Sequence, residues 1–364
     1  MDKKSWNDTW GQIDWGFDCK TKVKKKINEL YNAGVSLDML DYKGERAPIH
    51  YIAELYPSDV LALLMRCGAL TALRAKDGLT AMHYAVKGNK PENIEILLKH
   101  GVTDIEVLKD KWDRTALDFA AHAGKTEIVK ALCDHNPNLI NVQNRSGWTA
   151  LHYAAFYGFD EMAAYLLEHG ADVNMKTKEG KFALNLSQRK YDAPNNNVKR
   201  MLIEKGANVE GQSDALNWAA IIGDKDMVEK LLERGAIVDD NTLINAVASQ
   251  EIPLIEMFLD NYPNMINLKD GSPVHYTPLH TAIHVKDPKL VKLLIERGAD
   301  VNIPDANGHT VLQKEMASFY KKPEIIELLQ KADKIRARYL KKQAQPKTIA
   351  KHNSSKSDNS REHE

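Results

Sequence analysis

A short pattern recurs nine times along the chain at an almost constant interval, and it decides most of what the chain can fold into. It reads RAPIH, LTAMH, RTALD, WTALH, KFALN, SDALN, NTLIN, YTPLH and HTVLQ, and ends at His50, His83, Asp118, His152, Asn185, Asn217, Asn245, His280 and Gln313. The steps are 33, 35, 34, 33, 32, 28, 35 and 33 residues. A second pattern follows six of these, as LLMRCGA, LLKHGV, YLLEHGADVN, MLIEKGANVE, LLERGAIV and LLIERGADVN. A period of this length marks one supersecondary element per repeat. Such an element cannot bury its own apolar face, so neighbours must stack.

Within one period the residues have separate tasks. Thr149 is placed to cap a helix, its hydroxyl taking an orphan backbone N–H. Pro48 and Pro278 fall on the first helical position, where no N–H is needed. Leu151 points into a core, and Ala154 and Ala155 leave room for a second helix. Gly158 ends the first helix. EMAAYLL, with Met162, Tyr165 and Leu166, reads as an amphipathic second helix. Gly170 then supplies a left-handed terminus. The ladder position takes His, Asp, Asn or Gln, so it requires a hydrogen-bonding side chain rather than an imidazole as such.

These residues resemble those of ankyrin repeats, and the resemblance covers residues 20 to 330. It implies an all-α ankyrin-repeat solenoid of stacked helix pairs with β-hairpin fingers. The expected organisation is an atypical N-terminal capping unit over 1–40 and a repeat array of about nine units over 41–330. A basic C-terminal helix over 331–343 and a disordered polar tail over 344–364 complete it. Trp6, Trp10, Ile13 and Phe17 are expected on one helical face of the cap.

Several departures from regularity follow. Gly206 to Asp214 and Gly235 to Thr242 leave too few residues for full fingers in repeats six and seven. YDAPNNN inserts a polar loop in repeat five. HNPNLINV and NYPNMINL replace the capping glycine: their prolines stop a helix and their isoleucines stand in for the buried valine of ADVN.

Lys plus Arg equals Asp plus Glu, 50 each, which argues against a general nucleic-acid binder. The N-terminal MDKKSWNDTWGQ has no apolar core, so no signal peptide is expected. The longest apolar runs, such as VLALLM, are too short to span a bilayer. Cys19, Cys67 and Cys133 form no paired motif, which fits a reducing compartment and a cytoplasmic location. No phosphate loop, dinucleotide fingerprint or nucleophile elbow occurs, and the array leaves no room for a catalytic domain. The expectation is a monomer with no enzyme activity, no cofactor and no metal. A different class of function, an enzyme or enzyme-modifier with a cryptic and metal-dependent site, would lie near His275, His280 and His284, where a four-residue spacing can hold zinc on a helix. Cys133 replaces a core leucine, where a thiol is inert.

In the geometry that the resemblance implies, finger tips and the outer ends of first helices line the concave surface. Those places carry Trp112 and Arg114 in repeat three, then Arg145, Trp148, Phe156 and Tyr157 in repeat four. Lys181, Arg189 and Lys190 follow in repeat five, and Ile221 and Ile222 in repeat six. Clustered apolar side chains on such a surface mark contact sites, and Trp, Tyr and Arg dominate interface energetics. The expected function is a scaffold or adaptor binding another protein through this concave strip. The Asn-, Lys- and Ile-rich composition and irregular repeats are compatible with an effector of an intracellular bacterium or virus acting on a host protein.

Overall fold

A computed structural model describes residues 9–15, 17–41, 43, 45–100, 109–110, 114–187 and 197–343. The repeat period becomes a period of helix pairs. The pairs begin Pro48–Leu55 with Ser58–Arg66, Ala81–Lys87 with Pro91–Lys99, and Ala116–His122 with Thr126–His135. Ala150–Tyr157 with Asp160–Glu168 and Ala183–Leu186 with Asn197–Glu204 follow. The chain divides into two blocks, 1–209 and 210–364. The second block pairs Asp214–Ile221 with Lys225–Glu233, Thr242–Ser249 with Ile252–Asn261, Pro278–His284 with Pro288–Glu296, and Val311–Ala317 with Pro323–Gln330. In each block first helices pack on first helices; second helices pack on second helices along the first block and, in the second, between Pro288–Glu296 and Pro323–Gln330. We call them inner and outer helices.

The inner helices form because each starts with a cap and carries small residues at the crossing points. Thr149 Oγ1 accepts from His152 N–H, and Gly158 ends the helix in the left-handed conformation. Ala154 and Ala155 are fully buried, as the sequence requires for close helix approach. Outer helices bury an apolar stripe, Met162, Ala163, Leu166 and Leu167 in repeat four. Asn93 ties neighbouring repeats together, its Nδ2 donating to the carbonyls of Ala53 and Tyr56, both at 2.9 Å.

Among the described residues no strand forms, so the expected β-hairpin fingers are turns. In repeat four one bond from Asn144 N–H to the Trp148 carbonyl closes the finger at 2.9 Å, and Lys178 N–H reaches the Ser146 carbonyl of the previous finger. With the bond from Gly147 N–H to the Asn144 carbonyl, these make a turn but no ladder. The short connections of repeats six and seven carry no finger. They bond to each other instead, Gly211 N–H to the Gly235 carbonyl and Ile237 N–H to the Gln212 carbonyl. The two proline-stopped outer helices run into 3-10 turns, Pro137–Asn141 and Pro263–Asn267, which bury Ile140 and Ile266. The polar insertion of repeat five lies outside the described residues, apart from Asn197.

The N-terminal segment departs from the expected single helical face. Trp10 and Ile13 are buried, but Phe17 is 88% exposed, and residues 10–15 form turns rather than a helix. Trp15 instead stacks on Tyr51, ring centroids 4.8 Å apart. Trp6 and the segment 344–364 lie outside the described residues. Helix Ala332–Gln343 packs against outer helix Pro288–Glu296 of repeat eight.

Candidate functional site

The ladder residues build the scaffold on which any surface site rests. His152 Nδ1 accepts from Thr149 N–H at 3.0 Å, so the ring proton sits on Nε2, which faces the Met175 carbonyl at 3.2 Å. His50 and His83 repeat the arrangement toward the carbonyls of Leu73 and Arg114. Burial holds the imidazoles of His50, His83, His152 and His280 below their ordinary pKa, which keeps them neutral. Asp118 uses its carboxylate in the same place, accepting from Thr115 N–H at 2.8 Å. Asn185 and Gln313 accept the corresponding N–H of Phe182 and Thr310.

The tyrosine that follows three of these histidines is a feature that sequence reasoning missed. Tyr51 donates to Asp41 at the start of its finger, and Tyr84 to Asp77 at the tip of the finger closed between Ala75 and Leu79, each at 3.0 Å. Tyr153 accepts from Asn144 Nδ2 at 2.9 Å, and Asn144 Oδ1 takes the N–H groups of Ser146 and Trp148. The pairs His50–Tyr51, His83–Tyr84 and His152–Tyr153 carried that signal. It fixes each finger to the inner helix behind it.

Repeat four gathers aromatic rings on this frame. Trp148 lies against Tyr153 at 4.9 Å and Phe156 at 5.5 Å between centroids. Phe156 meets Tyr157 edge to face at 4.9 Å, and Tyr157 stacks on Phe159 at 5.4 Å. The Tyr157 hydroxyl lies 3.1 Å from His122 Nε2 of repeat three. Phe156 is 46% exposed, whereas Trp148 and Tyr157 are half-buried. Trp148 therefore contributes packing as well as surface.

The remaining candidates behave differently. Arg114 is held by Asp110, Nε and Nη2 both within 2.9 Å of Oδ2, and lies 4.3 Å over the Phe119 ring. Arg145 and Lys181 are exposed on neighbouring fingers, with Lys181 3.3 Å from Glu179. Trp112, Arg189 and Lys190 lie outside the described residues. Ile221, 38% exposed, and half-buried Ile222 belong to the second block.

The alternative chemistry gains no geometry. Among the described residues no group of three or more His, Cys, Asp or Glu could hold a metal ion. His280 is engaged by Thr277, and His284 lies exposed at the end of the same helix. The buried Cys133 thiol is pushed up to about 12 by desolvation and then by Asp134. Among the described residues no helix is long and apolar enough to cross a membrane.

The family model of ankyrin repeats in three copies matches residues 102–177 and 243–338, and the single-repeat ankyrin model matches 77–110. This chain is an ankyrin-repeat protein. It is 31% identical over 167 residues to a Caenorhabditis elegans homolog of transient receptor potential cation channel subfamily A member 1, covering 45% of this chain and 13% of that protein. It is 27% identical over 190 residues to human SH3 and multiple ankyrin repeat domains protein 2, covering 52% of this chain and 10% of the relative. A putative ankyrin repeat protein of Fowlpox virus is 27% identical over 249 residues, 67% of this chain and 43% of the relative. The matched part spans less than half of each of these relatives. Ankyrin repeats support a protein-interaction role, and none of the three names denotes an enzyme.

Proposed function

We propose that this ankyrin-repeat chain is a non-catalytic adaptor that binds a partner protein through the finger and inner-helix face of repeat four. The observation that carries the reading is the contiguous ring cluster Trp148–Phe156–Tyr157, with Phe156 46% exposed at its outer edge. Aromatic rings with a rigid backing supply large contact area at low entropic cost, and exposed basic neighbours Arg145 and Lys181 supply a charged rim. The N-terminal segment closes the array at one end: Trp10 is fully buried and Val23, Ile27 and Leu30 face inward from helix Lys20–Asn32. The chain acts as a cytoplasmic monomer. The finer reading is an effector that engages a host protein. The irregular repeats and a relative from a poxvirus support it.

Site-specific photo-crosslinking tests the reading. Benzoylphenylalanine replaces Phe156 on the inner helix or Glu161 on the outer helix, and each protein is irradiated in lysate. Discrete adducts from position 156 alone are expected. Equal adduct patterns from both positions would contradict an inner-helix binding face.

A further inference from the structure

The second block holds a cleft of about 150 Å³ between the inner helices of repeats eight and nine. Its polar walls are Tyr276, His280, His284, Lys286, Lys314, Glu315 and Ser318. We propose that this cleft is a carboxylate-binding site, and that it takes an acidic side chain from a partner segment whose apolar neighbour covers Phe319 and Tyr320.

His280 Nδ1 accepts from Thr277 N–H at 3.2 Å, which leaves the ring proton on Nε2. In His50, His83 and His152 that nitrogen meets a finger carbonyl at 3.0, 3.1 and 3.2 Å. In His280, only 4% exposed, it faces the His309 carbonyl but closes no hydrogen bond of good geometry. A buried donor left unpaired is costly, so it marks a place where an acceptor is gained.

The other walls also present donors. Lys314 Nζ donates to the Tyr276 hydroxyl at 2.7 Å and to Asp305 Oδ2 at 2.9 Å. Its third N–H finds no oxygen acceptor, although Nζ also lies 4.3 Å from the Tyr276 ring centroid, and the hydroxyl proton of Tyr276 is left over. Lys286 Nζ donates to Glu315 and to Ser318 Oγ, again leaving one N–H and the serine proton. Glu315 is fully buried, and its other oxygen takes Lys322 N–H at 2.6 Å. Donors therefore outnumber acceptors. A carboxylate, acceptor-only with about four lone-pair sites, matches that surplus.

A side chain on a partner fits better than a free acid because of what borders the cleft. Met316, Phe319 and Tyr320 are 55%, 91% and 79% exposed, and the two rings meet edge to face at 5.0 Å. Residues this apolar and this exposed mark a contact surface. Their loop is braced: Glu315 holds Lys286 and Lys322 N–H, and Lys322 Nζ donates to the Lys286 carbonyl at 2.7 Å. A braced loop presents its rings at low ordering cost on binding. The proposal rests on the reading of the chain as a protein binder, but it places this contact on a different repeat.

A random 15-residue peptide library displayed on phage is sorted against the full chain carrying Phe156→Ala and Tyr157→Ala, so the outcome is independent of repeat four. Selected peptides are then measured on that chain with His280→Asn added, or with Phe319→Ser and Tyr320→Ser added. Asparagine preserves the cap, as Asn185 does in repeat five, and removes the Nε2 donor. Peptides with Asp or Glu beside an aromatic or aliphatic residue are expected, losing about tenfold in affinity in each variant. Ring signals of His280 should also shift on titration with sodium acetate. Peptides without an acidic residue, no enriched peptide, or unchanged affinity in His280→Asn would each overturn the proposal. Acetate shifts without any enriched peptide would make the cleft a site for a free acid and overturn the docking.

Discussion

His152 shows how one residue position serves both folding and architecture. Its Nδ1 closes the cap on Thr149 and its Nε2 reaches the finger of the next repeat. His152→Asn keeps the first bond, as Asn185 does, and loses the second. It should cost about 1 kcal/mol, whereas His152→Leu loses both and should cost about 1–3 kcal/mol, measured by urea unfolding. Equal stability of the two variants would contradict this division of labour. The same histidines predict a pH dependence. His50, His83, His152 and His280 have their folded pKa values lowered chiefly by burial, so the unfolded chain takes up protons first as pH falls below about 6.5. Their stabilising contribution is full above that pH and is lost on acidification, at up to about 1.4 kcal/mol per pH unit for each histidine. The urea midpoint should fall between about pH 7 and pH 5, and His152→Asn should make the fall shallower. A midpoint unchanged over that range would refute the linkage.

Between elements, the contacts that matter are backbone approaches rather than side-chain lists. Gly147 has φ +78, and a Cβ there would stand 2.6 Å from the backbone nitrogen of Lys178 in the next finger. Gly180 has nearly the same φ, +77, with nothing within 4 Å. Gly180→Ala should therefore cost only the left-handed conformation, about 1 kcal/mol. Gly147→Ala should cost clearly more by thermal unfolding, and equal costs would mean the fingers do not touch. In the second block Glu315→Ala should destabilise by about 3 kcal/mol, because it leaves Lys286 and Lys322 N–H without their buried acceptor. Helix caps, alanine crossings and the two proline stops were legible in the sequence, since each depends on local chemistry. The finger brace Asn144–Tyr153 and the clasp on Glu315 were not, because their partners are brought together only by folding. Phe17 was misassigned for a related reason: a 3.6-residue spacing carries no information once the segment turns instead of coiling.

For the whole molecule, period and composition were enough to give an all-α stack of repeats, because only stacking buries the apolar faces. The ring cluster proposed as the binding face was legible in part. Sequence placed Trp148, Phe156 and Tyr157 together and off the ladder, and they do meet. It could not separate them by burial, and it passed over Met316, Phe319 and Tyr320 at the end of inner helix Val311–Ala317 and in the loop after it, whose exposure only the fold reveals. Since Trp148 packs on Tyr153, the decisive substitution is Phe156→Ala with Tyr157→Ala rather than one that includes the tryptophan. The measurement is quantitative affinity capture from lysate with the wild-type chain and this double variant, at matched helicity by circular dichroism. The account predicts that the main captured protein binds the variant at least ~2 kcal/mol more weakly, about thirtyfold in affinity. Recovery of the same protein in equal yield, with helicity unchanged, would contradict it.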